Sequence, residues 1–269
     1  MFNYKEITAA GSINNYIRKF WVLDHSTSPL YSDAKYALPN GCFTIAFISG
    51  GGVILESAEK KETITSGIYL IGQITKRLKV VVKPYSKAIM VQLPAWSPSL
   101  ITKFPLSELT GQLVGFGMVN KALHKAFSNI DITDEHLLIS RVYMELENYL
   151  YESHDSSFIK NTIRLFTANL TDTPLKISDI ALNTGYSKRY VEKKFNLLTG
   201  LSPKEMYSIL RMRSLVHTLH KSDNEMSLTK LGFEFGYFDQ SHFIKAYTNI
   251  MGSLPKKFSA QEYILPVNF

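Results

Sequence analysis

One pattern occurs twice in this chain and constrains its fold more than any other feature. The stretch Leu175–Gly200, LKISDIALNTGYSKRYVEKKFNLLTG, returns in altered form at Leu228–Gly252. Ile180, Ala181, Gly185 and Tyr186 match Leu231, Gly232, Gly236 and Tyr237, each 51 positions later. Ser187, Val191, Phe195, Gly200 and Pro203 match Asp239, Phe243, Tyr247, Gly252 and Pro255, each 52 positions later, so one residue is gained in the second turn. In both copies a short apolar helix is followed by Gly-Tyr, then by a Ser or Asp whose side chain can accept from the first free N–H groups of a new helix. That is the grammar of a helix-turn-helix, written twice.

The second helix of each copy has one apolar and one polar side. At 100° per residue from Val191, Phe195 falls at about 40° and Leu198 at about 340°, whereas Arg189, Glu192, Lys193 and Asn196 fall between about 100° and 200°. With Phe243 at zero, Tyr247 and Ile250 take the core side. Ser241, Ile244, Lys245 and Thr248 take the opposite side, Gln240 lies beside the cap, and Ile244 is placed to meet a thymine methyl. Between the copies a helix is expected from Pro203 to His220. Its eighteen or so residues at ~1.5 Å span about 27 Å, of the order of one ~34 Å DNA turn, so two reading helices on this strut can enter successive major grooves. Arg211 and Arg213 on the strut are candidates for phosphate contacts or for surface salt bridges.

These residues carry a family resemblance. ISDIALNTGYSKRYVEKKFNLLTGLSPKEM, the intervening ILRMRSLVHTL, and LTKLGFEFGYFDQSHFIKAYTNIMGSLPKKF resemble the AraC/XylS family of bacterial transcription regulators. Gly236-Tyr237, Asp239, Ser241, Phe243, Gly252 and Pro255 match the family's second unit; Gly232, Tyr247 and Leu254 stand where Ala, Phe and Ser are usual. The resemblance implies sequence-specific binding of double-stranded promoter DNA by an activator, with RNA polymerase as a further partner and an N-terminal domain in control. Carried over position by position, it sets Arg189, Glu192 and Lys193 of the first unit and Gln240, Ser241 and Lys245 of the second against bases. Ser187, Lys188, Asn196, His242 and Thr248 complete the DNA-binding set. Upstream, ALPNGCFTIAFI, GQITKRLKV and PLSELTG look like the β-rich sensor domain found ahead of some of these regulators, which names no ligand.

The whole chain reads as an α+β protein of two domains, and 269 residues with 45% hydrophobic content are enough for two cores. Residues 1–153 are expected to form a β-rich barrel or sandwich with C-terminal helices, serving as sensor or homodimerisation domain. Residues 158–262 form the all-α DNA-binding domain, and polar Ser153–Ser157 marks the boundary. Strands are expected at Tyr16–Leu23, Phe43–Ser49, Val53–Glu56, Gly67–Thr75, Leu78–Val82 and Lys87–Leu93, with Gly50-Gly51-Gly52 turning a hairpin. Helices are expected from Trp96-Ser97-Pro98 to Phe104, at Ser107–Leu113, at Met118–Ser128 and after Asp134. The stripe Leu138, Val142, Leu146, Tyr149 of the last packs on its own barrel or forms a dimer seam. Phe158–Leu170 opens the second domain and Thr171-Asp172-Thr173-Pro174 stops it. Residues 158–262 carry fifteen Lys and Arg against nine Asp and Glu, and residues 1–157 fifteen against fourteen. The positive potential therefore lies with the repeat, which suits a polyanionic partner.

No catalytic constellation is legible, so the chain is read as no enzyme, without metal or cofactor. His217 and His220 share a helical face but have no acidic or cysteine partner at ligand spacing. Gly50–Gly52 lacks the Gly-Lys-Ser/Thr of a phosphate loop, and there is no Gly-x-Ser-x-Gly elbow. Cys42, the single cysteine, is a small buried residue or a reactive thiol. A small-molecule effector pocket inside the barrel, lined by Trp21, Phe43, Phe47, Tyr69 and Tyr85, competes with plain aromatic packing. Lys76, Arg77, Lys79 and Lys83 bind an anionic effector or guard a strand edge. No apolar run reaches the ~18–20 residues of a membrane span and no export signal is present, so a cytoplasmic protein without membrane contact is expected. Two rivals remain: a cupin-like barrel enzyme, which needs His and Glu converging from strands, and a regulator that binds protein and no longer reads DNA.

Overall fold

The side-to-side alternation of its strands gives the N-terminal region two layers of core. In the computed structural model, which describes residues 2–9, 11–149, 153–171, 176–221 and 228–264, all strand pairings are antiparallel. The strands are β1 (Asn3–Thr8), β2 (Lys19–His25), β3 (Lys35–Ala37), β4 (Cys42–Ser49), β5 (Val53–Glu56), β6 (Lys61–Ile64), β7 (Gly67–Ile71), β8 (Leu78–Val82), β9 (Ser86–Pro94) and β10 (Leu113–Gly115). One sheet runs β1-β2-β9-β4-β7-β10 and the other β3-β8-β5-β6. Odd-numbered Phe43, Ile45 and Phe47 of β4 face helices on the outside of the larger sheet. Even-numbered Ala46 and Ile48 face Val53, Val80 and Val82 of the smaller sheet.

The expected β4–β5 hairpin does not form. β4 pairs with β7 and β9, and β5 with β6 and β8. Gly50–Gly52 instead carries the chain from one sheet to the other, past two backbones: a Cβ on Gly50 would lie 1.9 Å from the Tyr85 carbonyl oxygen and one on Gly52 2.0 Å from that of Ile64. Other boundaries shift for local reasons. A 3₁₀ turn at Ser12–Asn15 delays β2 to Lys19, and the expected helix at Ser107–Leu113 becomes a 3₁₀ turn, Leu106–Leu109, followed after Gly111 (φ 72°) by β10. Helix α1 (Pro98–Ile101) stops short of Phe104. Met118–Ser128 is divided into α2 (Phe116–Val119) and α3 (Lys121–Phe127) by Asn120, whose side chain caps α3 by accepting from Leu123 N at 3.0 Å. Helix α4 (Glu135–Glu147) is capped by Asp134 as expected, with Leu137 N donating at 2.9 Å. Its stripe Leu138, Val142 and Leu146 is sealed against the larger sheet and is therefore no dimer seam.

The C-terminal region is helical: α5 (His154–Ala168), α6 (Ile177–Thr184), α7 (Lys188–Thr199), α8 (Pro203–Lys221), α9 (Leu228–Glu234) and α10 (Gln240–Met251). Ser153 and Ser156 cap α5 reciprocally, so the polar Ser153–Ser157 stretch begins a helix. Asp172–Leu175, which include most of the expected stop, lie outside the described residues. Helix α8 walls two separate cores. Met206 and Ile209 close one with Ile180, Val191 and Phe195, and Leu215, Val216 and Leu219 close the other with Leu231, Phe243 and Tyr247. The two regions also touch: Tyr36 and Leu38 pack on the second helical core, and Ile264 N donates to Tyr36 O at 2.9 Å.

Candidate nucleic-acid interface

Both helix-turn-helix units are built by the devices their sequence spells. Gly185 and Gly236, each with φ 71°, make the left-handed turn. Ser187 Oγ then accepts from Tyr190 N at 3.3 Å, and Asp239 Oδ1 from His242 N at 2.7 Å. Val191 and Phe195, and in the second unit Phe243 and Tyr247, are buried against α8. This leaves Ser187, Lys188, Arg189, Glu192 and Lys193 exposed, with Asn196 half-buried. In the second unit Gln240, Ser241, His242 and Lys245 are exposed. Thr248 is half-buried, and its Oγ1 is sealed from solvent with no hydrogen-bond partner among the described residues. Ile244 departs from expectation: at about 100° from Phe243 it sits on the flank and packs against the second core.

Several exposed apolar side chains, Phe238, Leu182 and Phe233 among them, are not marked by the sequence pattern. Phe238 is the residue gained in the second turn, and at 86% exposure it stands beside the Asp239 cap. Leu182 and Phe233, 51 positions apart on the first helices of the two units, are 85% and 54% exposed. Lys194, next to the reading face, has a different duty. Its Nζ lies 2.7 Å from an Asp155 carboxylate oxygen and 3.3 Å from the Tyr190 hydroxyl, bracing α7 against α5. Burial lowers its pKa, but these partners outweigh that and hold it above the ordinary lysine value.

The strut arginines are turned toward other parts of the protein instead of toward phosphates. Arg211 is 7% exposed; its guanidinium lies 4.0 Å over the Tyr237 ring and donates to Gly236 O at 3.3 Å, locking the second turn. Arg213 faces β2, where burial and then the neighbouring Arg18 push its pKa down to about 9.

Between the two sheets lies a cavity of about 70 Å³ whose walls include Trp21, Thr44, Ala46, Met90, Leu113 and Ile264. Of the five aromatic candidates only Trp21 lines it. Tyr69 packs half-buried at the edge of the same core, Phe43 and Phe47 point to the helix side of β4, and Tyr85 is 60% exposed in a turn. Cys42 belongs to the cavity wall, its Sγ 3.9 Å from Arg18 Nη1. An adjoining space of about 30 Å³ shares Trp21, Leu38, Asn40 and Ile264 with it and adds Lys19, Gln92, Arg213, His217 and His220. Trp21 Nε1 and Gln92 Nε2 are sealed there with no hydrogen-bond partner among the described residues. Lys19 pairs with Glu6 at 2.7 Å, yet burial draws its pKa down. Lys76 and Lys79 are paired outside the cavity with Glu59 and Glu56. Among the described residues no three His, Cys, Asp or Glu side chains gather as a metal site, and no helix is long and apolar enough to cross a membrane.

Residues 180–261 match the model of a family described as a helix-turn-helix domain, and residues 5–115 match a domain of unknown function (DUF6597). The Msm operon regulatory protein of Streptococcus mutans is 27% identical over 143 residues, 49% of this chain and 51% of its own, so the chain spans about half the length of that relative. Among solved structures, ToxT from Vibrio cholerae is similar at 15% identity over 95% of this chain and 96% of its own, with a TM-score of 0.46. A transcriptional regulator from Chromobacterium violaceum, of the AraC-type DNA-binding domain-containing proteins, is 25% identical over 43% of this chain and 100% of its own, with a TM-score of 0.38.

Proposed function

We propose that this chain, which carries an AraC-type helix-turn-helix domain at residues 180–261, is a transcription regulator in which a DNA-binding domain, residues 158–262, is governed by a sensor domain, residues 1–153. The observation that carries the reading is the matched pair α7 and α10, each capped, each buried on one side against α8, and each with a donor-rich face left in solvent. Lys188 anchors phosphates, while Arg189, Lys193, Gln240, Ser241 and Lys245 have the donors that base edges in a major groove accept. Phe238 adds an apolar ring at the start of α10, fit for a thymine methyl. Activation through RNA polymerase and assembly as a homodimer complete the proposal.

The effector reading rests on size and polarity. A cavity of about 70 Å³ is far below the ~300–1,000 Å³ of a small-molecule pocket, so an occupant has to part the two sheets or displace Ile264. The walls are mostly apolar and suit an apolar molecule.

The test is selection of duplexes by the full chain from a random library, followed by footprinting. Two short boxes about one helical turn apart are expected. A folded chain that retains no duplex at low salt would favour the reading of a protein-binding regulator.

A further inference from the structure

The two reading helices end on equivalent glycines, Gly200 and Gly252, and the carbonyl of each is held by the N-terminal region. Thr110 Oγ1 donates to Gly200 O at 2.6 Å. Arg77 donates through its backbone N–H to Ile250 O at 2.8 Å and through Nη2 to Gly252 O at 3.2 Å. These oxygens are among the carbonyls that a helix C-terminus leaves without an internal partner, and the cationic guanidinium also meets the negative end of the helix dipole. The approach is close. A Cβ on Gly200 would lie 2.6 Å from Leu106 O, and one on Gly252 2.7 Å from Arg77 Nε. The Arg77 guanidinium is itself fixed 4.1 Å over the Tyr36 ring.

Both donors sit on one ledge. The segments that follow β7 and precede β10 are tied by Gly72 N to Gln112 O at 3.0 Å and by Gly111 N to Gln73 O at 2.8 Å, prolonging the β7–β10 pairing. Helix α8 joins the two units but gives each a separate core, so by itself it fixes their distance along the strut better than their mutual twist. A second attachment, to a single piece of sheet, removes that freedom.

We propose that Thr110 and Arg77 are positioning residues for DNA recognition: they hold α7 and α10 at one separation and angle, and so set the half-site spacing the protein accepts. The spacing role rests on the reading of α7 and α10 as DNA-reading helices. It also gives the cavity a route to them, because the cavity wall includes Ile71 and Leu113 at the ends of β7 and β10 and Gly72 and Ile74 in the segment that follows β7. An occupant that spreads the sheets moves the ledge, and the ledge moves both helices.

The experiment uses the full chain with Cys42→Ser and spin labels on Leu197→Cys and Asn249→Cys, exposed positions at equivalent places on α7 and α10. Pulsed electron spin resonance should give one narrow distance in the parent. Thr110→Val, which keeps the side-chain shape and removes the donor, and Thr110→Val with Arg77→Met should broaden or shift it, and Thr110→Ser should restore it. On a duplex selected from a random library by the parent, moving one half-site by a base pair should weaken the parent about tenfold and the double variant about twofold. A folded double variant with an unchanged distance distribution overturns the proposal. If the distances change but the parent retains no duplex, the DNA-reading premise fails and takes the spacing role with it, while the mechanical hold stands.

Discussion

Lys193 and Lys194 are neighbours with opposite duties. Lys193 is exposed on the outer face of α7, whereas Lys194 is paired with Asp155 and packed on the Phe158 ring at 5.4 Å. Replacing Arg189 or Lys193 by Ala should lower sequence-specific DNA affinity by ~1–3 kcal/mol in equilibrium titrations while leaving the melting temperature alone. Lys194→Ala should do the reverse. Gly200→Ala places a Cβ against Leu106 O at φ 77°, and should destabilise the chain by more than ~1 kcal/mol, read as a lower urea midpoint. Which side chains face outward on α7 was legible from the spacing of Val191, Phe195 and Leu198. The effector aromatics were not: both faces of β4 are buried, so period two separates Phe43 and Phe47 from Thr44 and Ala46 without saying which set faces the second sheet.

At the level of elements, helices with a cap and an apolar stripe were readable and short edge strands were not. Asp239 was visible as a cap before α10, and Asp239→Ala should cost about 1 kcal/mol of stability in chemical denaturation. Strand β1 alternates mostly among exposed and half-buried positions, and β3 and β10 have three residues each, too few to show a period. The Gly50–Gly52 run does not by itself distinguish a hairpin from a crossing between sheets, because a glycine run signals close backbone approach and both require it. Helix α4 adds a pH dependence. Burial raises the Glu135 pKa, but Lys87 at 3.0 Å and Lys5 at 3.0 Å outweigh it and hold it below its ordinary 4.5. A depressed folded-state pKa contributes stability that is present above 4.5 and lost as pH falls through the lower folded value. The melting temperature should therefore drop below about pH 4.5, and less steeply in Glu135→Gln.

For the molecule as a whole, residues 153–269 alone, which keep the α5 cap and Asp155, should bind duplex DNA with a steep negative dependence of log affinity on log salt, since their charge surplus acts on phosphates. Without the ledge they should discriminate half-site spacing less than the full chain does. The helix-turn-helix architecture could be read from the sequence because its determinants lie within a few residues of one another. The hold on it could not. Arg77 and Gly252 are 175 positions apart and Thr110 and Gly200 are 90 apart, and neither Arg77 nor Thr110 carries a local pattern that marks a partner at such a distance.

Ile264 follows the second helix-turn-helix in the chain, yet it forms part of the wall between the two sheets and is hydrogen-bonded to Tyr36. The docked end of the helical region therefore supplies one part of the wall of the space between the sheets. For a molecule that enters and leaves past Ile264 without parting the sheets, the residence time and the lifetime of the docked arrangement become readings of one clock.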